Sequence, residues 1–458
     1  MLNLRLSDIA RWTGGRLHGT DAVVEAVSTD TRSLAAGMLF VALKGERHDA
    51  HAFAETARER GAAALLVERE LATALPQVVV ADTLVALGEL ARAVRARSTA
   101  RVVGITGSNG KTTVKTLVAS ILARHGRTHV NAGNFNNEIG LPLTLLAMPA
   151  DTEYAVLEMG AGKPGDIAYL ARIAQPDVAL VNNIAAAHLE RMGTLQGVAE
   201  TKGAIYRALP NDGVAIINAD DAFADYFGVL AGPRRVLRFG LLRRADVGAN
   251  LEIEGAADGR LRLLAPAGAI EIASPLRGRH NVMNVLAAAT LALALGVPLA
   301  TIKAGIEAAP LVAGRLARRA HASGAVVVDD SYNANPGSFA AAIATLAAEP
   351  GERVLVMGDM AELGSDAERL HADIGALARR SGVQRLYAVG RLSRAAADAF
   401  GAGATHYADQ AQLVDALRAE LRAGVVLLVK GSRSSAMDQV VRALCGDEDG
   451  NGGERHAA

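Results

Sequence analysis

One cysteine among 458 residues, Cys445, excludes a disulfide within the chain and fits a reducing compartment, so a cytoplasmic protein is expected. Net charge is equally lacking, with 48 Lys and Arg against 48 Asp and Glu. No long-range positive field is available to hold a nucleic-acid backbone or an anionic membrane surface, and any phosphate ligand must be gripped by local groups. Long apolar runs are lacking too. The nearest, "VLAAATLALALGVPLA" at 285–300, is alanine-rich and broken by Gly296 and Pro298, which predicts a buried helix rather than a membrane span. In "MLNLRLSDIARWTGG", Arg5, Asp8 and Arg11 interrupt the place where a signal peptide would need an apolar core. The polar, glycine-rich residues 447–458 are expected to form a disordered tail.

The most informative shortage is one glycine. "GITGSNGKTT" (104–113) ends like a phosphate-binding loop, yet Ile105 stands where the full G-x-x-x-x-G-K-[ST] pattern requires glycine. Its context supports a phosphate site nonetheless. The β-branched run "RVVGIT" enters it, and Val114, Leu117, Val118, Ile121 and Leu122 follow at the spacing of an amphipathic helix. Such a loop delivers backbone N–H groups to a helix N-terminus, where unpaired donors and the macrodipole favour an anion. Lys111 would reach the β- and γ-phosphates and Thr112 would hold Mg²⁺. On spacing alone, a strand-turn-helix corner with a solvated lysine has the same outline.

A chain of this length predicts two to four domains. Short β-branched runs alternate with helical stretches almost throughout, the pattern of α/β folds with parallel sheets. Three α/β domains are expected: a smaller N-terminal one (1–98), a central parallel-sheet ATPase-like one carrying the loop (99–313), and a Rossmann-like C-terminal one (314–446). In the central series "YAVLEMG" ends a predicted strand in Glu158, as an acidic metal-binding residue would, and "DVALVNNIAAAHLE" ends another and then offers His188. Taken singly, these read equally well as an exposed glutamate and a surface histidine. No Asn-Lys-x-Asp element follows the fourth strand, which argues against a GTPase, and the short loop argues against an ordinary P-loop kinase.

"TGSNGKTT", "NFNNEIGLPLTLL", "EMGAGKPGDI", "AAHLE", "ETKGAIY", "GRHNVMN", "DDSYNANP" and "KGSRSSAMD" occur in this order and together resemble the Mur ligases over nearly the whole chain. A short G-x-x-G-K-T-T loop is what that family uses. The resemblance implies a UDP-sugar-binding N-terminal domain, a central ATP-binding domain and a C-terminal domain that brings the amino substrate. It implies ATP-dependent peptide-bond formation between UDP-N-acetylmuramoyl-tripeptide and D-alanyl-D-alanine through an acyl phosphate, in a chain expected to act as a monomer. "DDSYNANP" favours the dipeptide-adding branch over relatives that add one amino acid and over folylpolyglutamate synthases; a non-ligase ATPase switch is the reading from another class.

The same resemblance assigns roles. Thr106, Gly107, Ser108, Asn109, Gly110, Lys111, Thr112 and Thr113 would cradle ATP, with Asn281 at adenine, Arg315 at the terminal phosphate and Asp330 at the ribose. Thr112, Glu158 and His188 would hold Mg²⁺, and Lys202, carbamylated, would support a second ion. Lys111, Lys202, His188 and Arg315 would form the catalytic set. Ser28, Asp30, Arg32 and Lys44 fall in the uridine-nucleotide region, Asn134, Asn136 and Asn137 on the peptide side, and Asn333, Asn335, Lys430, Ser432 and Arg433 near the incoming dipeptide or the nucleotide. Outside the resemblance, Lys202 reads as a solvated helix lysine, and Asn333 and Asn335 before Pro336 as turn residues. One departure is Arg191 after Glu190, where relatives commonly carry glycine; it bears on the geometry of the loop beside His188.

Overall fold

The computed structural model describes residues 3–45, 48–186, 189–250 and 259–446. His188 and the tail 447–458 lie outside the described residues. Most of the strands read from the sequence form where expected, among them Met38–Val41, Ala64–Val67, Arg101–Thr106, Tyr154–Glu158, Val178–Val181, Val326–Asp330 and Val425–Lys430.

The central sheet has six strands, all parallel, in the order Arg235–Phe239, Val214–Asn218, Val178–Val181, Arg101–Thr106, Tyr154–Glu158, Thr128–Val130. From Arg101–Thr106 the chain first builds one flank and then crosses to the other. That reversal leaves a crevice at the carboxyl ends of the strands, the usual ligand position of an open parallel sheet. Register places Glu158 beside Ile105 and Val181 beside Thr106, so both neighbouring strands end next to the phosphate loop.

Alternate residues of these strands feed two cores. Val103, Ile105, Val156, Leu180 and Ile216 pack against the helices Lys111–Leu122 and Arg279–Ala294. The latter contains most of the alanine-rich run, and Ala287, Ala288, Ala289 and Leu291 are fully buried in it, as expected of a core helix. The next helix, Leu299–Glu307, approaches so closely that a Cβ on Gly305 would lie 2.4 Å from Ile121 Cα. No helix among the described residues is long and apolar enough to cross a membrane.

On the opposite face Val102, Leu157, Val181 and Ile217 pack against the helices Asp166–Ala174 and Leu195–Arg207, and this core runs without a break into the N-terminal sheet. Buried Arg95, from the helix Thr83–Arg95, donates to the carbonyls of Ala174 at 2.9 Å and Gln175 at 3.0 Å. An arginine held by the last carbonyls of another helix also meets its dipole favourably. The C-terminal sheet has six strands, parallel except for the edge strand Ala317–Ala320, with helices on both faces. The expected alternation of strand and helix omits one element: Gly248–Asn250, Arg260–Ala265 and Gly268–Ala273 form a small antiparallel sheet.

Candidate active site

Strand Arg101–Thr106 is hydrogen-bonded on both sides and cannot bend, so the chain turns in residues 107–110 before helix Lys111–Leu122 begins. Gly110 makes the turn at φ 79°, a left-handed conformation that favours glycine. Space demands glycine as well, because a Cβ there would lie 2.4 Å from Asn284 Oδ1 and 2.6 Å from Asn182 Nδ2. Asparagine amides fasten the loop from behind: Asn109 N–H donates to Asn183 Oδ1 at 2.8 Å, and Asn182 Nδ2 donates to the Asn109 carbonyl at 2.9 Å. Asn182 also donates to Asn284 Oδ1 at 3.0 Å, which joins the loop to the helix carrying Asn281.

Two charged side chains, Glu158 and Arg315, meet at Thr112. Its hydroxyl donates to Glu158 Oε2 at 2.8 Å and accepts from Arg315 Nη2 at 2.9 Å, while Lys111 Nζ folds back on the Gly107 carbonyl at 2.9 Å. Glu158 is 3% exposed, and Asn136 Nδ2 holds its other oxygen at 2.8 Å. Burial pushes this carboxyl upward, but the charges of Lys111 and Lys115 and the hydrogen bonds from Thr112 and Asn136 outweigh it and keep the acid below its usual range. Glu158 is therefore ionised at neutral pH. Lys111 is lowered chiefly by burial, with Glu158 opposing the shift.

The donor set suits a hard cation. A hydroxyl and a carboxylate meet at the phosphate loop, and Mg²⁺ prefers oxygen ligands, taking only one or two carboxylates from a protein. Among the described residues no cluster of three His, Cys, Asp or Glu side chains stands ready for a metal. Lys202 is buried in helix Leu195–Arg207, with no carboxylate or carbonyl paired to its ammonium among the described residues. Burial, aided by the charge of Lys111, lowers it to about 7.

Arg315 lies over the ring of Tyr332 with 4.4 Å to the centroid, and its Nε is buried without an acceptor among the described residues. Beside it a narrow cleft is lined by Thr113, Thr116, Leu117, Leu276, Asn281, Pro310 and Val312, mostly apolar walls with two hydroxyls and one amide. Asn281 Nδ2 donates to the Arg277 carbonyl at 2.8 Å and its Oδ1 accepts from Asn284. Gly107 closes against Asn182, and the Ser108 hydroxyl donates to the Ala185 carbonyl at 3.2 Å. Thr106 Oγ1 is buried without a partner among the described residues.

The C-terminal domain reaches the loop through Asn335. Its Oδ1 caps helix Pro336–Ala347 by accepting from Ser338 N–H at 2.9 Å, and its Nδ2 donates to Asn109 Oδ1 at 2.8 Å. Behind it Lys430 Nζ donates to Asp330 Oδ2 at 2.6 Å and to the Asn333 carbonyl at 3.0 Å. Burial raises Asp330, with Lys430 opposing. Ser432 is buried and donates to the Asp359 carbonyl at 2.7 Å, whereas Arg433 is exposed. Asn137 accepts from the N–H groups of Ile139 and Gly140, and Asn134 is exposed.

In the N-terminal domain Ser28 Oγ accepts from Asp30 N–H at 3.1 Å, Asp30 pairs with Arg32 at 2.6 Å, and Lys44 is exposed. Among the described residues, no hydrogen bond or ion pair joins this group directly to Lys111, Thr112, Glu158 or Arg315. Sequence spacing missed Lys115, Asn182, Asn183 and Asn284 as parts of the site. Lys115 did leave a signal, since it shares a helix face with the core residues Val118 and Leu122.

Models of the Mur ligase family match three stretches: its catalytic domain over residues 23–100, its middle domain over 105–292 and its glutamate ligase domain over 314–433. The chain is 47% identical to the UDP-N-acetylmuramoyl-tripeptide--D-alanyl-D-alanine ligase of Escherichia coli K12, covering 97% of this chain and 99% of that one. Its fold matches a crystal structure of MurF from Acinetobacter baumannii with a TM-score of 0.92 at 35% identity, covering 97% and 99%. MurF from Thermotoga maritima, solved in complex with ADP, matches with a TM-score of 0.83 at 29% identity, covering 92% and 97%.

Proposed function

The chain belongs to the Mur ligase family, and from that premise we propose that it joins UDP-N-acetylmuramoyl-tripeptide to D-alanyl-D-alanine at the expense of ATP, in peptidoglycan precursor synthesis. One observation carries the chemistry: Thr112, Glu158 and Arg315 meet at the phosphate loop, so two domains present charge to a single point.

Joining a carboxylate to an amine is hard mainly on the carboxylate side, which is anionic and has no good leaving group. In the proposed reaction a carboxylate oxygen of the tripeptide attacks the γ-phosphorus of ATP. The β,γ-bridging P–O bond breaks, and ADP departs. The amine of the dipeptide then attacks the carbonyl carbon of the acyl phosphate, and the tetrahedral adduct expels phosphate and loses a proton from nitrogen. An α-amino group has a pKa of about 7.7–8.0, so a useful fraction is neutral near neutral pH.

The protein's task is to bring two anions together. Lys111 and Arg315 supply positive charge, acting by neutralisation and positioning. Thr112, Glu158, carbamylated Lys202 and His188 would hold two Mg²⁺ ions, which when bound would offset the remaining negative charge. The buried Lys202, without a carboxylate or carbonyl partner among the described residues and lowered to about 7, supports carbamylation, because only a neutral amine attacks carbon dioxide. His188 enters on sequence pattern alone.

We assign ATP to the remaining loop residues, Asn281 and Asp330. The uridine nucleotide goes to Ser28, Asp30, Arg32 and Lys44, the tripeptide to the loop carrying Asn134, Asn136 and Asn137, and the dipeptide to Asn333, Asn335, Lys430, Ser432 and Arg433. Residues 1–98, 99–313 and 314–446 are the corresponding units of a cytoplasmic monomer. The test is phosphate release from ATP by the purified protein. It should require both UDP-N-acetylmuramoyl-tripeptide and D-alanyl-D-alanine, and release in the absence of either would contradict the ligase reading.

A further inference from the structure

The phosphate-loop helix carries a second lysine one turn after Lys111. Lys115 is 6% exposed, on a face that otherwise sends Val118 and Leu122 into the core. A buried ammonium is costly unless it is paired and hydrogen-bonded. Its Nζ donates to the carbonyls of Asn131 at 2.9 Å and Gly133 at 3.2 Å, and it stands 3.7 Å from Glu158 Oε2.

Both carbonyls belong to the segment 131–137, between the edge strand Thr128–Val130 and helix Gly140–Leu146. This segment wraps Glu158. Asn131 Oδ1 accepts from Glu158 N–H at 3.0 Å, Asn131 Nδ2 donates to the Glu158 carbonyl at 3.1 Å, and Asn136 holds the carboxylate. The carboxylate has Thr112 and Asn136 without Lys115. Beyond its charge beside Glu158, what Lys115 supplies is a direct hydrogen-bonded link from the start of the segment to the phosphate-loop helix. Beyond that link Gly133 and Asn134 are exposed.

We propose that Lys115 is a positioning residue for the peptide substrate. It fastens the 131–137 segment to the phosphate-loop helix, so that the tripeptide carboxylate meets a pre-ordered surface in register with the phosphate loop. The role rests on the ligase reading given above. Without the clamp the segment occupies its binding-competent arrangement only part of the time, and apparent affinity falls by that fraction.

Lys115→Met keeps an unbranched apolar stem and removes the donor; Lys115→Arg keeps charge and donors. The expected result for Lys115→Met is a KM for UDP-N-acetylmuramoyl-tripeptide raised about tenfold or more, equivalent to about 1.4 kcal/mol or more, with KM for ATP nearly unchanged. Lys115→Arg should restore part of the loss. In the unliganded protein, amide hydrogen exchange should quicken in 131–137 and not in helix Gly140–Leu146. Unchanged exchange in that segment, or KM values for ATP and tripeptide rising in equal proportion, would overturn the positioning role. A wild-type protein that fails to use the tripeptide would instead contradict the ligase reading, and the exchange measurement would still judge the clamp.

Discussion

The hydroxyl of Thr112 donates to Glu158 Oε2 at 2.8 Å, joining the first turn of the phosphate-loop helix to the end of the neighbouring strand. The parallel register sets Glu158 against Ile105, and the turn at Gly110 starts the helix beside it, which brings the two side chains within reach. Glu158→Gln keeps the shape and an oxygen acceptor but removes the charge, leaving Lys111 and Lys115 without their buried counter-ion. Turnover should fall by about a hundredfold or more, on the scale of losing one preorganised electrostatic group. A titration of rate against Mg²⁺ should show a higher half-saturating concentration than in the wild type.

The ammonium of Lys111 makes one hydrogen bond among the described residues, to the Gly107 carbonyl. Lys111→Ala should therefore abolish ATP-dependent ligation while the thermal midpoint stays close to wild type. Steady-state kinetics and a thermal melt on the same preparation check both halves.

Lys202 offers a prediction in which stability and activity move in opposite directions. Its folded-state pKa is depressed by burial from 10.5 to about 7. Between those values the unfolded chain holds a proton that the folded chain does not, so folding stability rises with pH across that window. Lys202→Met removes the buried amine. In buffer freed of carbon dioxide, where Lys202 is a free amine, it should stabilise the protein by at least about 1 kcal/mol near pH 7, since a pKa difference of one between the folded and unfolded chain is worth about 1.36 kcal/mol, and the advantage should vanish as pH approaches 10.5. Ligation should be lost at every pH. Denaturant melts at several pH values give the first quantity, and a coupled assay gives the second.

Asn335 both caps a helix and bridges to the phosphate loop, and two variants separate these roles. Asn335→Ala should cost about 1 kcal/mol of stability, as loss of an N-cap does, and also lower kcat. Asn109→Ala removes the bridging oxygen and leaves the cap, so kcat should fall with the helix intact. Circular dichroism melts together with initial rates distinguish the two patterns.

The sequence spoke most clearly where chemistry and periodicity coincide. The strand before Gly107 and the amphipathic spacing from Val114 to Leu122 placed the phosphate loop, and Glu158 at a strand end was legible because parallel strands finish at one edge of a sheet. Contacts between distant segments were not legible. Arg95 grips carbonyls about eighty residues further along, and Asn182 meets Asn284 across the sheet edge; no local spacing encodes either. Lys115 lies on the core-facing stripe, but a stripe at i, i+3 and i+4 keeps its period with one polar position in it, so that signal is weak. The small antiparallel sheet around Arg260–Ala265 was lost in a stretch whose strands are short or solvent-facing.

The phosphate loop's task is to activate a carboxylate for attack by an amine. The most direct measurement incubates the purified protein with ATP, Mg²⁺, UDP-N-acetylmuramoyl-tripeptide and D-alanyl-D-alanine, and follows phosphate release alongside the mass of the UDP-linked product. One phosphate should appear for each product molecule, the product mass should rise by the dipeptide less one water, and no phosphate should be released when either acceptor or donor is omitted. Steady phosphate release with neither substrate present, or release with no change in the mass of the UDP-linked species, would contradict that role.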